Sequence, residues 1–194
     1  MRRFLLLLLA AAPLIVTSSP ARAEEPVHVV IESLDAGVEI REYAPMLVAE
    51  VEVPTGDFEA AGATGFRPLA DFIFGGNDRG ERIGMTAPVK QAAVDGGWVV
   101  GFVMPARYTL ESLPKPRDAR VRIVEVPRRF VAAIRFSGRW SNVRYAEHWR
   151  LLKREIDAAG WQPNGEPQAA QYDAPWVPGP LRRNEILVPV RRRG

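Results

Sequence analysis

One sequence offset relates the two halves of this chain and constrains its fold more than any other feature. Adding 83 to the residue number carries two sets of apolar positions onto two further sets without a gap. Val48, Val51 and Val53 fall on Val131, Ile134 and Phe136, and Phe66, Leu69 and Ile73 fall on Trp149, Leu152 and Ile156. Two copies are too few for a solenoid. The offset predicts a duplicated β-α-β-β unit with a pseudo-twofold axis; the alternative is a coincidence between two unrelated strand–helix pairs.

The first copy is predicted over about residues 38–104. β-Branched residues predict strands over 38–53, either two short strands or one bent strand, because Ala44-Pro45 interrupts the pattern. A helical pattern follows over 57–74, and Pro68 places the start of the regular helix near Phe66, with the proline in its first turn. The remaining predicted features are a helix stop at Gly75-Gly76-Asn77 and strands over Arg82–Val94 and Trp98–Met104, turned by Asp95-Gly96-Gly97.

The second copy is predicted over about residues 121–190 and repeats this order. Its helix spans Val143–Ala159, with Ser141 as the N-cap and Gly160 as the C-cap. The predicted strands are Val121–Val126, Phe130–Phe136, Gln168–Tyr172 and Glu185–Val190. Joined together, the two units predict an α+β fold in which a distorted antiparallel β-barrel is flanked by two helices.

The first residues do not belong to this fold. Arg2 and Arg3 precede an apolar run, and Ala21-Arg22-Ala23 fits the small-x-small rule for signal cleavage. The apolar run is too short to span a bilayer. We therefore predict a signal peptide over 1–23, a domain over 24–194, a periplasmic or secreted location, and no stable membrane insertion after cleavage. The alternative is an N-terminal anchor that stays uncleaved.

Charge and composition exclude several classes of function. Removing the predicted signal removes three arginines and no acid, which leaves 23 basic and 23 acidic residues, so a nucleic-acid-binding role has no general electrostatic support. The chain has no cysteine, which excludes disulfides, thiol nucleophiles and covalent c-type haem. Two histidines, His28 and His148, are too few for a multi-histidine metal site. Because no nucleophile elbow or P-loop motif occurs, we do not predict an enzyme.

Several motifs, in order, resemble those of the SOUL haem-binding protein family. They are FRPLADFIFGGN followed by ERIGMTAPV, then GFVMPARYTLESLPKPRDARVRI and FVAAIRFSG, and finally Tyr-x-x-Pro-Trp followed by Arg-Arg-Asn-Glu. The resemblance covers about residues 30–190. It implies a distorted β-barrel with two helices, as the duplication does, and haem binding as the activity. The family is more distantly similar to effector-binding modules of bacterial multidrug-responsive regulators, which hold bulky apolar ligands in the same duplicated unit.

The resemblance implies a haem slot beside the first helix, with basic side chains near the propionates. Phe66, Phe72, Ile73 and Phe74 are the predicted apolar wall, and the first three are the predicted ligand-binding residues among them. An acid, Asp71, precedes Phe72 and does not suit a propionate, so Arg67, one turn earlier, is the predicted cation.

Met85 is a further candidate, in the strand pattern that ends early at Pro88. It either lines the pocket or fills an irregular gap in the core, since methionine suits both roles.

A stiff, proline-rich loop precedes the last predicted strand. Pro178-Gly179-Pro180 cannot lie in a helix or in the middle of a sheet. We predict that this loop carries Trp176 as a lid over the barrel or over the helix–sheet groove. Arg182, Arg183 and Glu185 are expected to alternate across the following strand, with one of them in an inward ion pair at the base of the lid. The alternative makes Arg182 a clamp for a ligand carboxylate.

An axial ligand for haem iron is not evident from the sequence, and the metal ligand is left unknown. His148, beside the apolar positions of the second helix, is a weak candidate. His28 lies near the expected mature N-terminus, in a segment predicted to be mobile.

These features together predict a noncatalytic protein that binds haem or a related tetrapyrrole reversibly in an apolar groove, with haem not required for folding. Two alternatives stay open at this point. One is a binding module for another bulky apolar ligand, and the other is an interaction protein with a vestigial pocket. No protein partner is identified.

Overall fold

The structure, a computed structural model, describes residues 23–194. The predicted signal peptide lies outside these residues except for Ala23, so its cleavage stays a prediction. Within the described range, ten strands and two α-helices run in the order β1 (His28–Ser33), β2 (Val38–Tyr43), β3 (Met46–Val53), α1 (Phe58–Ile73), β4 (Val89–Val94), β5 (Gly97–Val103), β6 (Arg122–Val126), β7 (Arg129–Ser137), α2 (Asn142–Ala158), β8 (Trp161–Pro163), β9 (Gln168–Gln171) and β10 (Arg183–Arg192).

All of these strands belong to one sheet. Its order is β1-β2-β7-β10-β9-β4-β5-β3-β6, and β8 pairs with β10. The pairs are antiparallel throughout. The sheet curls into a half-barrel, and both helices pack against it. The predicted fold class is therefore confirmed.

Strand register confirms the duplication. The two units are β2-β3-α1-β4-β5 and β6-β7-α2-β9-β10, and they exchange their first strands, since β2 pairs with β7 and β6 pairs with β3. The pair Arg41–Val131 becomes the pair Val124–Val48 when 83 is added to the first number and subtracted from the second. Strands β4 and β9 pair across the pseudo-twofold axis. The exchange of first strands is a feature that apolar periodicity does not reveal.

Helix α1 begins earlier than the sequence predicts. It starts at Phe58, after Asp57, whose side chain accepts a hydrogen bond from the backbone N–H of Ala60 at 2.6 Å. Pro68 therefore lies inside the helix, and the prediction that it sits in the first turn is wrong. An internal proline costs about 3 kcal/mol in an isolated helix. Burial of one face of α1 against the sheet overrides that preference, because Pro68 itself is part of the buried face.

Helix α2 agrees with the sequence prediction to within one residue. The hydroxyl of Ser141 accepts a hydrogen bond from the backbone N–H of Arg144 at 3.3 Å, which confirms the predicted N-cap. Ala159 is the C-cap, and Gly160 follows it with a φ of 76°. Glycine reaches this left-handed conformation without a steric penalty, so Gly160 follows the C-cap instead of being the C-cap, and the helix ends one residue earlier than predicted.

The connection between α1 and β4 is not the strand that the sequence predicts. Of the predicted Arg82–Val94, only Val89–Val94 forms a strand, and the prediction is wrong for residues 82–88. Pro88 has no amide donor for a strand ladder. The hydroxyl of Thr86 donates instead to the carbonyl of Val103 at 2.5 Å, and its backbone forms an isolated bridge with Glu24.

The segment around His28 is also different from the prediction. Instead of a mobile terminus, it forms β1, which pairs with β2 at the edge of the sheet. The His28 ring stacks on Tyr43 with ring centres 4.8 Å apart, and its Nδ1 lies 3.0 Å from the carbonyl of Pro26. Pairing with β2 supplies the backbone partners that a free terminus lacks.

The two faces of the sheet carry different residues because strand side chains alternate. One face packs against the helices in two apolar clusters, around Leu69 of α1 and around Leu152 of α2. The opposite face, called the inner face below, carries a third apolar cluster of Tyr43, Val131, Ala133, Ala170 and Leu187. Buried charged side chains lie beside this third cluster, among them Arg41, Lys90 and Glu185.

Candidate functional site

An exposed apolar stripe follows one flank of α1. Phe66, Ala70 and Phe74 are spaced four residues apart, so they lie on one side of the helix. Phe66 is 39% exposed and Phe74 54%. They are separated by about 12 Å along the helix axis, with a small alanine between them. We call these three residues the α1 stripe.

Neighbouring groups give the α1 stripe a fixed shape and a cationic edge. The Phe66 ring meets the ring of Phe102 on β5 edge-on, with centres 5.2 Å apart. The guanidinium of Arg82 lies 5.4 Å from the centre of the Phe74 ring. Arg67, next to Phe66 in sequence, is exposed. The stripe is therefore a shallow apolar surface that two cations border.

The equivalent surface of α2 is polar. The offset of 83 carries Phe66, Ala70 and Phe74 onto Trp149, Lys153 and Asp157. Lys153 and Asp157 form an ion pair at 3.1 Å, and Trp149 packs partly against the α2 cluster. The same fold thus accommodates charged residues at these positions. Packing of a helix against the sheet therefore does not require partly exposed phenylalanines at these positions of α1.

The sequence-predicted residues of α1 do not all share this surface. Phe72 and Ile73 are each 1% exposed and belong to the core between α1 and the sheet, together with Leu69. Phe66 and Arg67 reach solvent on the helix flank, and Met85 reaches solvent in the connection that follows α1. Phe74, a residue of the predicted apolar wall, and Arg82 complete the exposed group. Arg82 was not predicted, because it lies beyond the helix and no spacing in the sequence links it to Phe74.

The Trp176 loop lies in a different part of the fold. Trp176 is 84% exposed. The backbone N–H of Gly138 donates to the carbonyl of Gly179 at 3.0 Å, which ties the loop to the connection between β7 and α2. Arg182 donates from Nε to the carbonyl of Val177 at 2.7 Å and also to that of Pro175, so its guanidinium braces the loop. The predicted site residues therefore fall into two places, one at α1 and one beside the start of α2.

The predicted inward ion pair at the base of this loop is confirmed. Glu185 is fully buried on the inner face, and its carboxylate accepts hydrogen bonds from Arg41 at 2.7 Å, Arg183 at 2.9 Å and the Tyr172 hydroxyl at 2.8 Å. The Arg183 guanidinium also lies 3.6 Å from the centre of the Tyr172 ring. Sequence reasoning missed Arg41, because it arrives on an exchanged strand 144 residues away.

The electrostatics of this network follow from its geometry. Burial acts to raise the pKa of Glu185, but the hydrogen bonds and charges of Arg41 and Arg183 outweigh it and hold that pKa below its usual value. Burial and the neighbouring carboxylate raise the pKa of Tyr172, so its hydroxyl remains a donor. The network is fully paired and holds the loop base.

His148 has a packing role at the outer face of β7. Its ring stacks on Phe136 with centres 4.4 Å apart, and its Nδ1 lies 2.7 Å from the carbonyl of Arg144. When the imidazole is neutral, donation from Nδ1 leaves Nε2 with a lone pair. A broad, open cavity of about 570 Å³ adjoins it, lined by Gly37, Arg135, Phe136, Ser137, Arg144 and His148. The weak assignment of His148 as an iron ligand stays a prediction.

Two negative findings apply to the described residues, 23–194. No group of three or more histidine, aspartate and glutamate side chains there is arranged to hold a metal ion. No helix in the same range combines the length and apolarity needed to cross a membrane.

Comparison with known proteins agrees with the geometry. A family model described as SOUL heme-binding protein matches residues 23–189. No curated protein sequence matches the chain. Among solved structures, the C-terminal domain of EcmrR aligns with a TM-score of 0.61 and 13% identity, over 80% of this chain and 97% of that one.

Two proteins from Listeria innocua also align. An uncharacterized conserved protein gives a TM-score of 0.55 at 12% identity, and a protein described as a hydrolase gives 0.51 at 12%; each alignment covers 88% of this chain and 94% of the other. At such identities the likeness concerns the fold alone.

Proposed function

Since the chain belongs to the SOUL heme-binding protein family, we propose that it binds haem or a related tetrapyrrole reversibly and without catalysis, with the macrocycle lying on the α1 stripe. The observation that carries this placement is the contrast between the helices. Phe66 and Phe74 are partly exposed on α1. At the equivalent positions of α2, Trp149 packs against the apolar cluster and Asp157 forms an ion pair with Lys153. An exposed aromatic pair that the fold does not need is a candidate ligand surface.

Burial of apolar area is the main source of affinity in this proposal. Each Å² of apolar surface removed from water contributes on the order of 25 cal/mol. A flat macrocycle covers both phenylalanine rings and the alanine between them. Arg67 and Arg82 border the stripe and are the proposed partners of the two propionates, as charge-assisted donors. Because no iron bond is involved, iron-free porphyrin should bind nearly as well as haem.

The test is a titration of the purified protein with haem and with iron-free protoporphyrin, followed by absorbance and by quenching of tryptophan fluorescence. The wild type should bind both ligands with dissociation constants within about tenfold of each other. Replacing Phe66 or Phe74 by Ala should weaken both. Phe74 is the more exposed of the two, whereas Phe66 also packs against Phe102 of the core, so thermal unfolding of each variant accompanies the titration. Lys153→Ala, on the equivalent flank of α2, is the matched control and should leave both affinities unchanged.

Other outcomes of the same titration distinguish the alternatives. Failure to bind either tetrapyrrole, while an unrelated bulky apolar compound binds and loses affinity in Phe66→Ala, would favour a binding module for such compounds. Failure to bind any of them would favour an interaction protein with a vestigial pocket.

An axial-ligand site at His148 is the second candidate, favoured by the lone pair at Nε2 and by the arginines of the adjoining cavity. It predicts that haem binds far better than iron-free porphyrin and that His148→Ala abolishes the difference. The α1 proposal predicts neither result.

We also propose that the protein is exported and cleaved after Ala23. Glu24 and Glu25 then open the mature chain, and both make contacts with the domain. A Glu24 carboxylate oxygen accepts from the N–H of Ala106 at 2.7 Å, and Glu25 pairs with Arg183 at 2.9 Å. Intact-mass measurement on protein from a periplasmic extract should give a chain that begins at Glu24; a chain that retains Met1 would contradict the proposal.

A further inference from the structure

A small cavity on the inner face is lined by two cationic side chains, Lys90, which is buried, and Arg129, which is half-buried with a buried Nε. Lys90 of β4 and Arg129 of β7 border a space of about 10 Å³, together with Tyr43, Met46 and Gln168. Lys90 is only 8% exposed. A space of this size holds one body about as large as a water molecule.

Neither cation has an oxygen partner within residues 23–194. Lys90 Nζ contacts the thioether sulfur of Met46 at 4.0 Å, and the centre of the Tyr43 ring lies 5.9 Å from it. Nε of Arg129 is buried and donates to no acceptor among those residues. An ionised group buried without a partner is costly, so a compensating charge is expected.

Two other cations on the same face have a carboxylate partner within the chain. Arg41 and Arg183 both reach Glu185, at 2.7 and 2.9 Å. Lys90 and Arg129 have no equivalent. Glu50 lies on the same face as Lys90, with Gly101 paired between them in the sheet. Within the described chain, no ion pair within 4.0 Å joins Glu50 to Lys90 or to Arg129.

We infer that this cavity is a binding site for one compact monoanion of chloride size, held between Lys90 Nζ and Arg129 Nε, with the side-chain amide of Gln168 as a third donor. The small volume favours a compact monoanion over sulfate or phosphate. Two cationic side chains in the lining favour an anion over the neutral water molecule that the volume also accommodates. The site lies on the inner face, opposite the helices, and the inference does not depend on tetrapyrrole binding at α1.

Binding should depend on pH through the groups that face the cavity. Burial, with the charge of Arg129, lowers the pKa of Lys90 to about 8, and burial raises the pKa of Glu50. Lys90 must be protonated to hold an anion, and an ionised Glu50 opposes one. Anion affinity should therefore fall as the pH rises through the pKa of Lys90. A bound anion should in turn raise that pKa.

The experiment compares thermal unfolding in sodium chloride and in sodium gluconate at equal ionic strength near neutral pH. The wild type should be more stable in chloride by about 2 °C or more. Lys90→Met keeps the apolar stem and removes the charge, so it should abolish the chloride effect and unfold at a higher temperature than the wild type in gluconate. Lys153→Met, an exposed lysine on α2, should keep the chloride effect.

Equal stability of the wild type in the two salts, or an equal chloride effect in Lys90→Met, would overturn the inference. A bromide soak of wild-type crystals gives a second measurement that needs no variant. An anomalous peak within hydrogen-bonding distance of Lys90 Nζ and Arg129 Nε supports the site, and its absence at saturating bromide overturns it.

Discussion

The two halves follow one chain path, yet their helices contact the sheet in different ways. Gly65 lets α1 approach β5 closely, because a Cβ there would lie 2.6 Å from Cγ2 of Val100. The equivalent residue of α2 is His148, whose ring stacks on Phe136. In the first half, α1 therefore packs against the sheet through its buried face, and the residues of the α1 stripe are left partly exposed. In the second half the flank is covered by an ion pair. The fold therefore does not require exposed phenylalanines at these positions, and we propose that α1 carries them for ligand binding.

On the inner face the contrast is the opposite one: the second half carries charged residues where the first half carries apolar ones. By register, Arg41 and Glu185 of the second half's sheet correspond to Val124 and Val99 of the first. Two half-buried valines of the first half thus stand at the register positions of the buried ion pair of the second half. The ion pair is accordingly a local device at the base of the Trp176 loop and is not required by the duplicated unit.

The largest effect is expected from breaking this ion pair. Glu185→Val removes the buried carboxylate and leaves Arg41 with Glu39 and Arg183 with Glu25, so it should lower the free energy of unfolding by about 3 kcal/mol. Arg41→Val combined with Glu185→Val copies the first half and should cost less than the sum of the two single changes, with a coupling of about 1 kcal/mol or more. Urea unfolding of the four proteins measures this; additive losses would show that the comparison of halves is wrong here.

The same network should make stability depend on pH. The pKa of Glu185 is lower in the folded protein than its usual value of 4.5, so its contribution is present above that value and is lost as the pH falls below it. Acid titration of wild type and Glu185→Gln, followed by circular dichroism, should show a steeper acid loss of stability in the wild type. Parallel curves would contradict the assignment.

A smaller effect is expected at the close approach of α1 to the sheet. Gly65→Ala forces a methyl group against Val100 and Val53 and should cost about 1–3 kcal/mol, although alanine favours a helix. Ala63→Gly, two positions away on an exposed part of α1, is the control and should cost about 1 kcal/mol through helix propensity alone. Thermal unfolding separates them; a stabilised Gly65→Ala would contradict the close packing.

Two changes place the charged pair of α2 on the α1 stripe and leave Phe66 in place. Ala70→Lys with Phe74→Asp places on α1 the residues that stand at Lys153 and Asp157. Tetrapyrrole affinity should fall by about tenfold or more, or about 1.4 kcal/mol, because the flat apolar surface is interrupted. Stability should change little, since these positions are not in the core. Unchanged affinity in a folded variant would remove the stripe from the site.

The smallest effect is expected at His148. His148→Ala removes a ring stack and should cost about 0.5–1.5 kcal/mol of stability, with tetrapyrrole affinity changed by less than about tenfold. Phe136→Leu is a control that removes the other ring of the same stack and should cost a similar amount. Abolition of haem binding by His148→Ala alone would favour the axial-ligand site instead.

Local signals predicted much of the fold. The Ser141 cap, the Asp95-Gly96 turn and the offset of 83 each depend on residues near one another or on simple periodicity, and each is confirmed. The start of α1 was wrong because burial of Pro68 against the sheet overrides local preference. The strand predicted over residues 82–88 failed because Thr86 and Pro88 join other partners.

The site was less predictable for a related reason. Phe66, Phe72 and Ile73 look alike in sequence, but the direction in which α1 meets the sheet decides that Phe72 and Ile73 are buried and Phe66 is not. The partners of Glu185 and the position of Lys90 depend on strand exchange and on pairing of β4 with β9. These contacts join distant segments, and apolar periodicity does not specify them.

The central claim is that α1, not α2, presents the tetrapyrrole surface. Amide chemical shifts in a ¹⁵N-labelled sample, recorded during titration with iron-free protoporphyrin, test it directly because the ring current of the macrocycle displaces nearby signals. We predict the largest displacements at Phe66, Ala70, Phe74 and Arg82, with small ones at the equivalent positions Trp149, Lys153 and Asp157. Largest displacements on α2 or in the Trp176 loop, with α1 unperturbed, would contradict the account.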